Sequence, residues 1–409
     1  MKIQRRDFLR SALGAAAASV LSSCSSTLRS PAGATLPSPE SSGIEHIIVV
    51  MMENRSFDHF LGWLPNADGK QAGLSYVDQT DATQYTHPLT GDFTGCGHIQ
   101  PDHSYQGGRI QYNAGKMDGF LRSGNDTFSI GYYQEQDLIF FGAMARQYTT
   151  LDRYFCAFMG PTAPNRIFLH AAQTDRIGNT AGVCELETIW DRISDAKVSG
   201  RCYSQVLNLW GSEYSDYIYS YEDYLNDAAA SQLPAVSFVD APYSPQMGAV
   251  DDHPFADIRN GDAFLSQTYH ALVNSPCWPN SVLIVTFDEW GGFFDHVPPP
   301  RVAAPNTIDT DLIDGRALLG LRVPTVIVSP FSAGSSLSPR INSTVFDHTS
   351  VLKFIEWRWN LQPLTARDAS TDIGNLASVL DFANPRIKVP SLPVKLPVAK
   401  SPCDDSSGD

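Results

Sequence analysis

Two acidic pairs carry the first chemical signal in this chain. Glu53 and Asn54 directly follow an apolar run over residues 44–52, and Asp288 and Glu289 directly follow another over 282–287. Three carboxylates and one amide oxygen at a single sheet edge would form the oxygen-rich cage that hard divalent cations favour. Acidic residues also end strands as plain turn formers, so the signal is the two pairs together. A second feature is Gly160-Pro161-Thr162-Ala163-Pro164-Asn165-Arg166, ahead of the apolar stretch 167–172. A hydroxyl at a helix N-terminus faces unpaired N–H groups and the positive end of the helix dipole, a setting that binds phosphate. A metal on the same hydroxyl would help it ionise. Asn165 and Arg166 could donate to phosphate oxygens. On this motif alone, the commoner outcome is that Thr162 simply caps the helix. Breaking a P–O bond also needs an acid for the departing alcohol, and imidazole suits that task. His59, His98, His103, His253, His296 and His348 stand beside acids or in polar stretches. Asp252-His253-Pro254 and Asp295-His296-Val297-Pro298 are the better candidates, because their neighbours place them in loops.

The elements that must position these groups are legible as hydrophobic pattern. Near-continuous apolar runs at 44–52, 235–239, 282–287 and 323–328 read as strands buried on both faces of a parallel sheet. Helical patterns cover 137–149, 256–274 and 346–359, with Gly261 weakening the second. Alternating strands and helices imply an α/β fold, a mostly parallel sheet with helices on both faces. Ligands in such folds bind beyond the carboxyl ends of the strands, where both acidic pairs fall. Residues 63–135 are rich in Gly, Asp, Tyr, Gln and His with little periodicity. They read as a long insertion shaping one wall of the site. Its Tyr105, Tyr112, Phe120, Tyr132 and Tyr133 could hold a quaternary ammonium by cation–π attraction, although aromatics in a long loop more often form its own packing core.

The whole chain sets the frame. Its 409 residues are 43% hydrophobic and 18% charged, enough for a sizeable core and one catalytic domain over 43–385. The net charge is −15. That argues against nucleic acid as a partner, since phosphate backbones need Lys and Arg. Arg5-Arg6-Asp7-Phe8-Leu9 precedes a short, Ala-rich apolar stretch, a pattern read as a Tat export signal over 1–24. Leu21-Ser22-Ser23-Cys24 resembles a lipobox, which would make Cys24 a lipid anchor; Ala32-Gly33-Ala34 instead fits a cleavage site that extends the signal to 34. A lipoprotein and a freely exported periplasmic or secreted protein both remain open. Residues 25–42 read as a flexible tether and 386–409 as a Pro-rich, then acidic tail. Cys96, Cys156, Cys184, Cys202, Cys277 and Cys403 permit disulfides after export, with Cys184–Cys202 the preferred pair.

The blocks also resemble a known family. Glu53-Asn54-Arg55-Ser56-Phe57-Asp58-His59-Phe60-Leu61-Gly62, Gly115-Lys116-Met117-Asp118-Gly119-Phe120 and the Pro161–Arg166 segment are similar to motifs of the bacterial phospholipase C/acid phosphatase phosphoesterases. So are Asp288-Glu289-Trp290-Gly291-Gly292-Phe293-Phe294-Asp295-His296-Val297-Pro298-Pro299, Arg322-Val323-Pro324 and Asp347-His348-Thr349-Ser350. The resemblance implies an alkaline-phosphatase-like core. It implies one divalent metal, of unspecified identity, held by Glu53, Asn54, Asp288, Glu289 and the Thr162 hydroxyl. It places His103, His253 and His296 around the phosphate. Thr162 matches the phospholipase branch, whereas acid phosphatases of the family can carry Ser. The family's large phospholipases have additional C-terminal β domains, for which this sequence has no room. The expectation is an exported phospholipase C-type phosphodiesterase working through a phosphothreonine. The alternatives are a broad-specificity acid phosphatase and, in another class, a non-catalytic envelope protein that keeps the metal for stability.

Overall fold

The computed structural model describes residues 36–242, 248–335, 337–399 and Cys403. The export signal over 1–24, Cys24, the cleavage site after Ala34 and the acidic end beyond Cys403 lie outside the described residues. Among the described residues, no helix is long and apolar enough to cross a membrane. The described end of the expected tether is one turn, Pro39–Ser41, with Leu36 packed on the core.

The strands are β1 (His46–Met52), β2 (Ser75–Val77), β3 (Thr83–Tyr85), β4 (His87–Pro88), β5 (Gly131–Tyr132), β6 (Thr149–Leu151) and β7 (Gly200–Tyr203). They continue as β8 (Val236–Asp240), β9 (Ser281–Phe287), β10 (Arg301–Ala303), β11 (Arg316–Leu318), β12 (Val326–Val328) and β13 (Arg340–Asn342). The helices are α1 (Phe57–Leu61), α2 (Tyr105–Tyr112), α3 (Ile139–Gln147), α4 (Thr162–Ala171) and α5 (Ile189–Asp195). After them come α6 (Tyr221–Ala229), α7 (Ile258–Val273), α8 (Thr349–Trp359) and α9 (Ala366–Ala369).

Seven strands form the central sheet, in the order β13-β6-β12-β9-β1-β8-β7. β1 lies between β8 and β9 and runs parallel to both. Every residue of β9 is buried, as are the last six of β1. Successive side chains in a strand point to opposite faces, so both faces of the sheet are covered. The helices form two groups: α7 packs against α3 and α6, and α4 packs against α5 and α8. This is the expected α/β architecture with a mostly parallel sheet. Gly261 sits inside α7 because a Cβ there would come within 1.9 Å of Asp252 Oδ1.

The expected fourth parallel strand differs. β12 is antiparallel to both β9 and β6. The chain between β9 and β12 holds the β10–β11 hairpin and no crossover helix, and a parallel return needs a crossover. Pro324 cannot donate to a ladder, and the strand begins only at Val326.

The 63–135 segment is folded into the body. Tyr76, Leu89, Phe120, Leu121, Phe128 and Tyr133 belong to the main hydrophobic core. The described part of the C-terminal tail is likewise docked. Trp278 Nε1 donates to the Ile387 carbonyl at 3.0 Å. The Lys395 N–H donates to Ser266 Oγ at 3.0 Å, and the Val398 N–H to Asn260 Oδ1 at 2.7 Å. The cysteine pairing also differs from expectation. Cys96 is bonded to Cys403, while Cys184 and Cys202 are buried thiols. Cys202 lies on β7 and Cys184 in the loop before α5, and hydrophobic packing in the main core buries both as thiols.

Candidate active site

Register brings the acidic groups together. In the parallel trio β8-β1-β9, Met51 lies opposite Asp240 on β8, and Met52 lies opposite Phe287 on β9. The next residues along β1 and β9, Glu53-Asn54 and Asp288-Glu289, therefore leave the same sheet edge, beside Asp240. The N-terminus of α4 faces that edge. Thr162 Oγ1 donates to Glu53 Oε1 at 2.6 Å. Arg166, one turn later on the same helix face, reaches into the acidic group. Its Nη1 donates to Asp240 Oδ1 at 2.6 Å, its Nε to Asp288 Oδ2 at 3.2 Å, and its Nη2 lies 3.6 Å from Glu53 Oε2.

Asp288 and Glu289 are fully buried. Burial first, then the Glu53 charge, pushes the Asp288 carboxyl well above its ordinary pKa; burial also raises Glu289. Burial alone would lower Arg166, but Asp240, Asp288 and Glu53 raise it. Asn54 Nδ2 donates to Glu289 Oε1 at 2.7 Å, while Asn54 Oδ1 is buried without a partner. An orphaned amide oxygen beside crowded carboxylates, all hard oxygen donors, fits a divalent cation. Gly291 makes the approach possible: it has φ +65°, and a Cβ there would come within 2.2 Å of the Asn54 carbonyl oxygen.

A second group offers metal-ligating atoms. One ligand atom each from Asp58, Asp295 and His296 lies within 4.8 Å of the others. Arg322 already occupies both carboxylates, at 3.1 Å from Asp58 and 3.0 Å from Asp295.

The structure redistributes several expected roles. Thr162 is the first helical residue and Pro161 occupies the cap, so the hydroxyl is not a cap. Asn165 is fully buried. Its Nδ2 donates to the carbonyls of Phe158, Gly160 and Pro161, and its Oδ1 accepts the Phe158 N–H. It has no capacity left for phosphate and instead fixes the turn that presents Thr162. His296 bonds to Asp58 at 2.5 Å and lies 3.2 Å from Asp68, in the Arg322 network and not beside Thr162. Lys116 is exposed and does not line the cavity described below.

His103 and His253 do approach the acidic edge. Their ring centroids are 6.2 Å apart. His103 Nδ1 donates to the Pro101 carbonyl at 2.8 Å, leaving Nε2 3.9 Å from Glu289 Oε1. The His253 N–H donates to Asp251 Oδ1 at 3.0 Å, and the Glu53 N–H donates to the Asp251 carbonyl at 2.7 Å. The Gln100 amide lies 3.1 Å from His253 Nε2. Burial lowers the His253 pKa, Glu53 opposes this, and His103 adds to it. His348 Nε2 donates to the Asp288 carbonyl at 2.6 Å and holds that strand end.

A cavity of about 860 Å³ opens over Thr162, Glu53 and Arg166. Its far wall is Tyr203, Tyr219 and Tyr221, with Asp240 and Asp251 between. The insertion's aromatics are elsewhere: Phe120, Tyr132 and Tyr133 are core, Tyr112 packs on it, and Tyr105 donates to Asp309 at 2.6 Å. Asp240 was visible in the sequence as a strand end. The tyrosine wall and Asp251 follow no motif and emerge only when the chain folds.

A family model described as Phosphoesterase family matches residues 44–226 and 212–362. The chain is 29% identical to a non-hemolytic phospholipase C of Pseudomonas aeruginosa, over 97% of this chain and 68% of that protein. It is 31% identical to non-specific phospholipase C6 of Arabidopsis thaliana, over 80% of this chain and 71% of that protein. A crystal structure of an alkaline phosphatase superfamily protein from Vibrio parahaemolyticus aligns with TM-score 0.39 and 8% identity, over 84% of this chain and 74% of that one. The extent of the family match, together with the plant relative, shows that the chain belongs to the Phosphoesterase family.

Proposed function

We propose that the protein hydrolyses phosphodiesters in the manner of a phospholipase C, with Thr162 as nucleophile. The observation that carries this reading is the Thr162 hydroxyl, hydrogen-bonded to Glu53 at 2.6 Å and open to the cavity. A divalent cation held by Glu53, Asn54, Asp288, Glu289 and the Thr162 oxygen would lower the hydroxyl pKa and offset charge on the phosphoryl oxygens. The protein's own groups do the rest. Glu53 accepts the Thr162 proton as Oγ1 attacks phosphorus in line. The P–O bond to the departing alcohol breaks, and protonated His253 supplies that oxygen's proton. Gln100 can turn its amide oxygen to the protonated ring or its NH2 to the neutral one. His103 and Arg166 face the charge that accumulates on phosphorus. Water then attacks the phosphothreonine and gives its proton to the now neutral His253; as the bond from phosphorus to Oγ1 breaks, Glu53 returns its proton to Oγ1 and regenerates the hydroxyl.

Substrate choice follows from the far wall. Three tyrosines with Asp240 and Asp251 support a cationic, choline-type head group carried on a zwitterionic diester. Arg166 supports a second reading, an acid phosphatase, because a monoester brings one more negative charge. Steady-state kinetics on p-nitrophenyl phosphorylcholine and p-nitrophenyl phosphate separate the two. The diester should have the higher kcat/KM at every pH; the reverse order would leave the phosphatase reading. We also propose Tat export from the Arg5-Arg6 pair, ending in a lipidated Cys24 or cleavage after Ala34. Replacing both arginines with Lys should retain precursor in the cytoplasm, and unchanged export would refute the assignment.

A further inference from the structure

The Cys96–Cys403 disulfide joins residues 307 positions apart, with Cα atoms 5.9 Å from each other. On one side is the docked C-terminal segment. It is held from Ile387 to Val398 by Trp278, Ser266 and Asn260, so it follows α7 back toward the N-terminus of that helix. On the other side is the loop that contains Cys96 and continues into Gln100, Pro101 and His103. The same junction touches a third segment. Cys403 Sγ lies 3.9 Å from the Phe255 carbonyl, and the Ile258 N–H donates to the Phe93 carbonyl at 3.0 Å. Phe255 is two residues from His253. The bond therefore ties the loop that carries His103 to the C-terminal segment at the point where that segment touches the loop that carries His253. The loops otherwise meet near the site through the Gln100–His253 contact.

We propose that this disulfide is a positioning device for the proton-transfer side of the site, resting on the catalytic reading above. Closed, it fixes Gln100 against His253. Opened by a dithiol, which takes up the disulfide as its own oxidised form and leaves two protein thiols, it frees the Cys96 loop to move away from the 251–257 segment. Proton delivery to the leaving alcohol then becomes infrequent, while Tyr203, Tyr219, Tyr221 and Asp240, which line the cavity from other elements, keep substrate binding nearly intact. Activity is thereby coupled to an oxidising environment.

The test uses the full chain, wild type and Cys96→Ser/Cys403→Ser, with and without dithiothreitol, well below the melting temperature. Reduction of wild type should lower kcat about tenfold and change KM less than twofold, with recovery on reoxidation. The double Ser variant should match reduced wild type and ignore dithiothreitol. Gln100→Ala should show a similar kcat loss, and adding it to the double Ser variant should cost little more, because both changes break one linkage. Hydrogen exchange gives a readout independent of catalysis: reduction should deprotect residues 92–104 and 250–257 while leaving 57–61 and 295–297 unchanged. Deprotection with no kcat change would end the positioning role. Uniform deprotection, or a lower melting temperature with kcat intact, would make the bond merely structural. An oxidised wild type inactive on phosphodiesters, yet locally deprotected on reduction, would sink the catalytic reading and keep the linkage.

Discussion

Thr162 and Asn165 stand three residues apart in one motif and should fail in opposite ways. Thr162 is half-buried with one hydrogen bond, to Glu53. Thr162→Ala should lower kcat by at least about 10³-fold with an almost unchanged melting temperature, because only the nucleophile is lost. Thr162→Ser should keep part of the rate; a folded Ala variant with near-normal kcat would remove Thr162 from the mechanism. Asn165→Ala strands the backbone groups of Phe158, Gly160 and Pro161 in the interior. Unsatisfied buried groups cost about 1–3 kcal/mol each, so urea unfolding should show a loss of about 3 kcal/mol. Full stability with lost activity would restore Asn165 as a phosphate contact. Sequence could place both residues at the helix start but could not separate them, because hydrogen-bond capacity is spent only when the turn closes. His296 illustrates the same limit. Its motif resembles that of a catalytic histidine, yet its ring bonds to Asp58, which packs under Arg322.

Elements set the position of every group named above, and two of them carry an internal conflict. Glu356 on α8 is buried, with Oε1 unpaired, close to Asp368 on α9. Burial first, then Asp368, pushes its carboxyl up to about 10. In the unfolded chain this group has an ordinary pKa near 4.5. The folded state thus holds a proton that the unfolded state releases, and stability from this group is lost as pH rises from about 4.5 toward 10. Glu356→Gln should stabilise the protein at pH 8 and flatten the pH dependence, by up to about 1.4 kcal/mol per pH unit between 5 and 8. Parallel denaturant curves for the two proteins across that range would contradict the shift. The strands were legible because buried parallel strands write themselves as unbroken apolar runs. The direction of β12 was not, because direction depends on whether a crossover helix intervenes, and hairpin β10–β11 has no strong pattern.

At the scale of the whole molecule, the acidic edge couples binding to stability. Asp288 and Glu289 have raised carboxyl pKa values, and burial with the Glu53 charge pushes Asp251 up to about 7. Without a cation, folding must hold protons on these groups above about pH 4, so the melting temperature should fall between pH 5 and pH 8. A saturating divalent cation should raise it and remove most of that slope, since a ligand bound only by the folded state stabilises by mass action. Identical slopes with and without cation, after exhaustive chelation, would place the cation elsewhere. The central place of β1 in the sheet has a further consequence, in time. Its hydrogen-bonding partners on β8 begin roughly 190 residues downstream. At ribosomal speeds of about 5–20 residues per second, that strand waits about 10–40 s before either edge can pair. During this interval the chain carries an unpaired β segment whose last six residues are all apolar, so yield in the cell will depend on whatever shields that segment until β8 and β9 emerge.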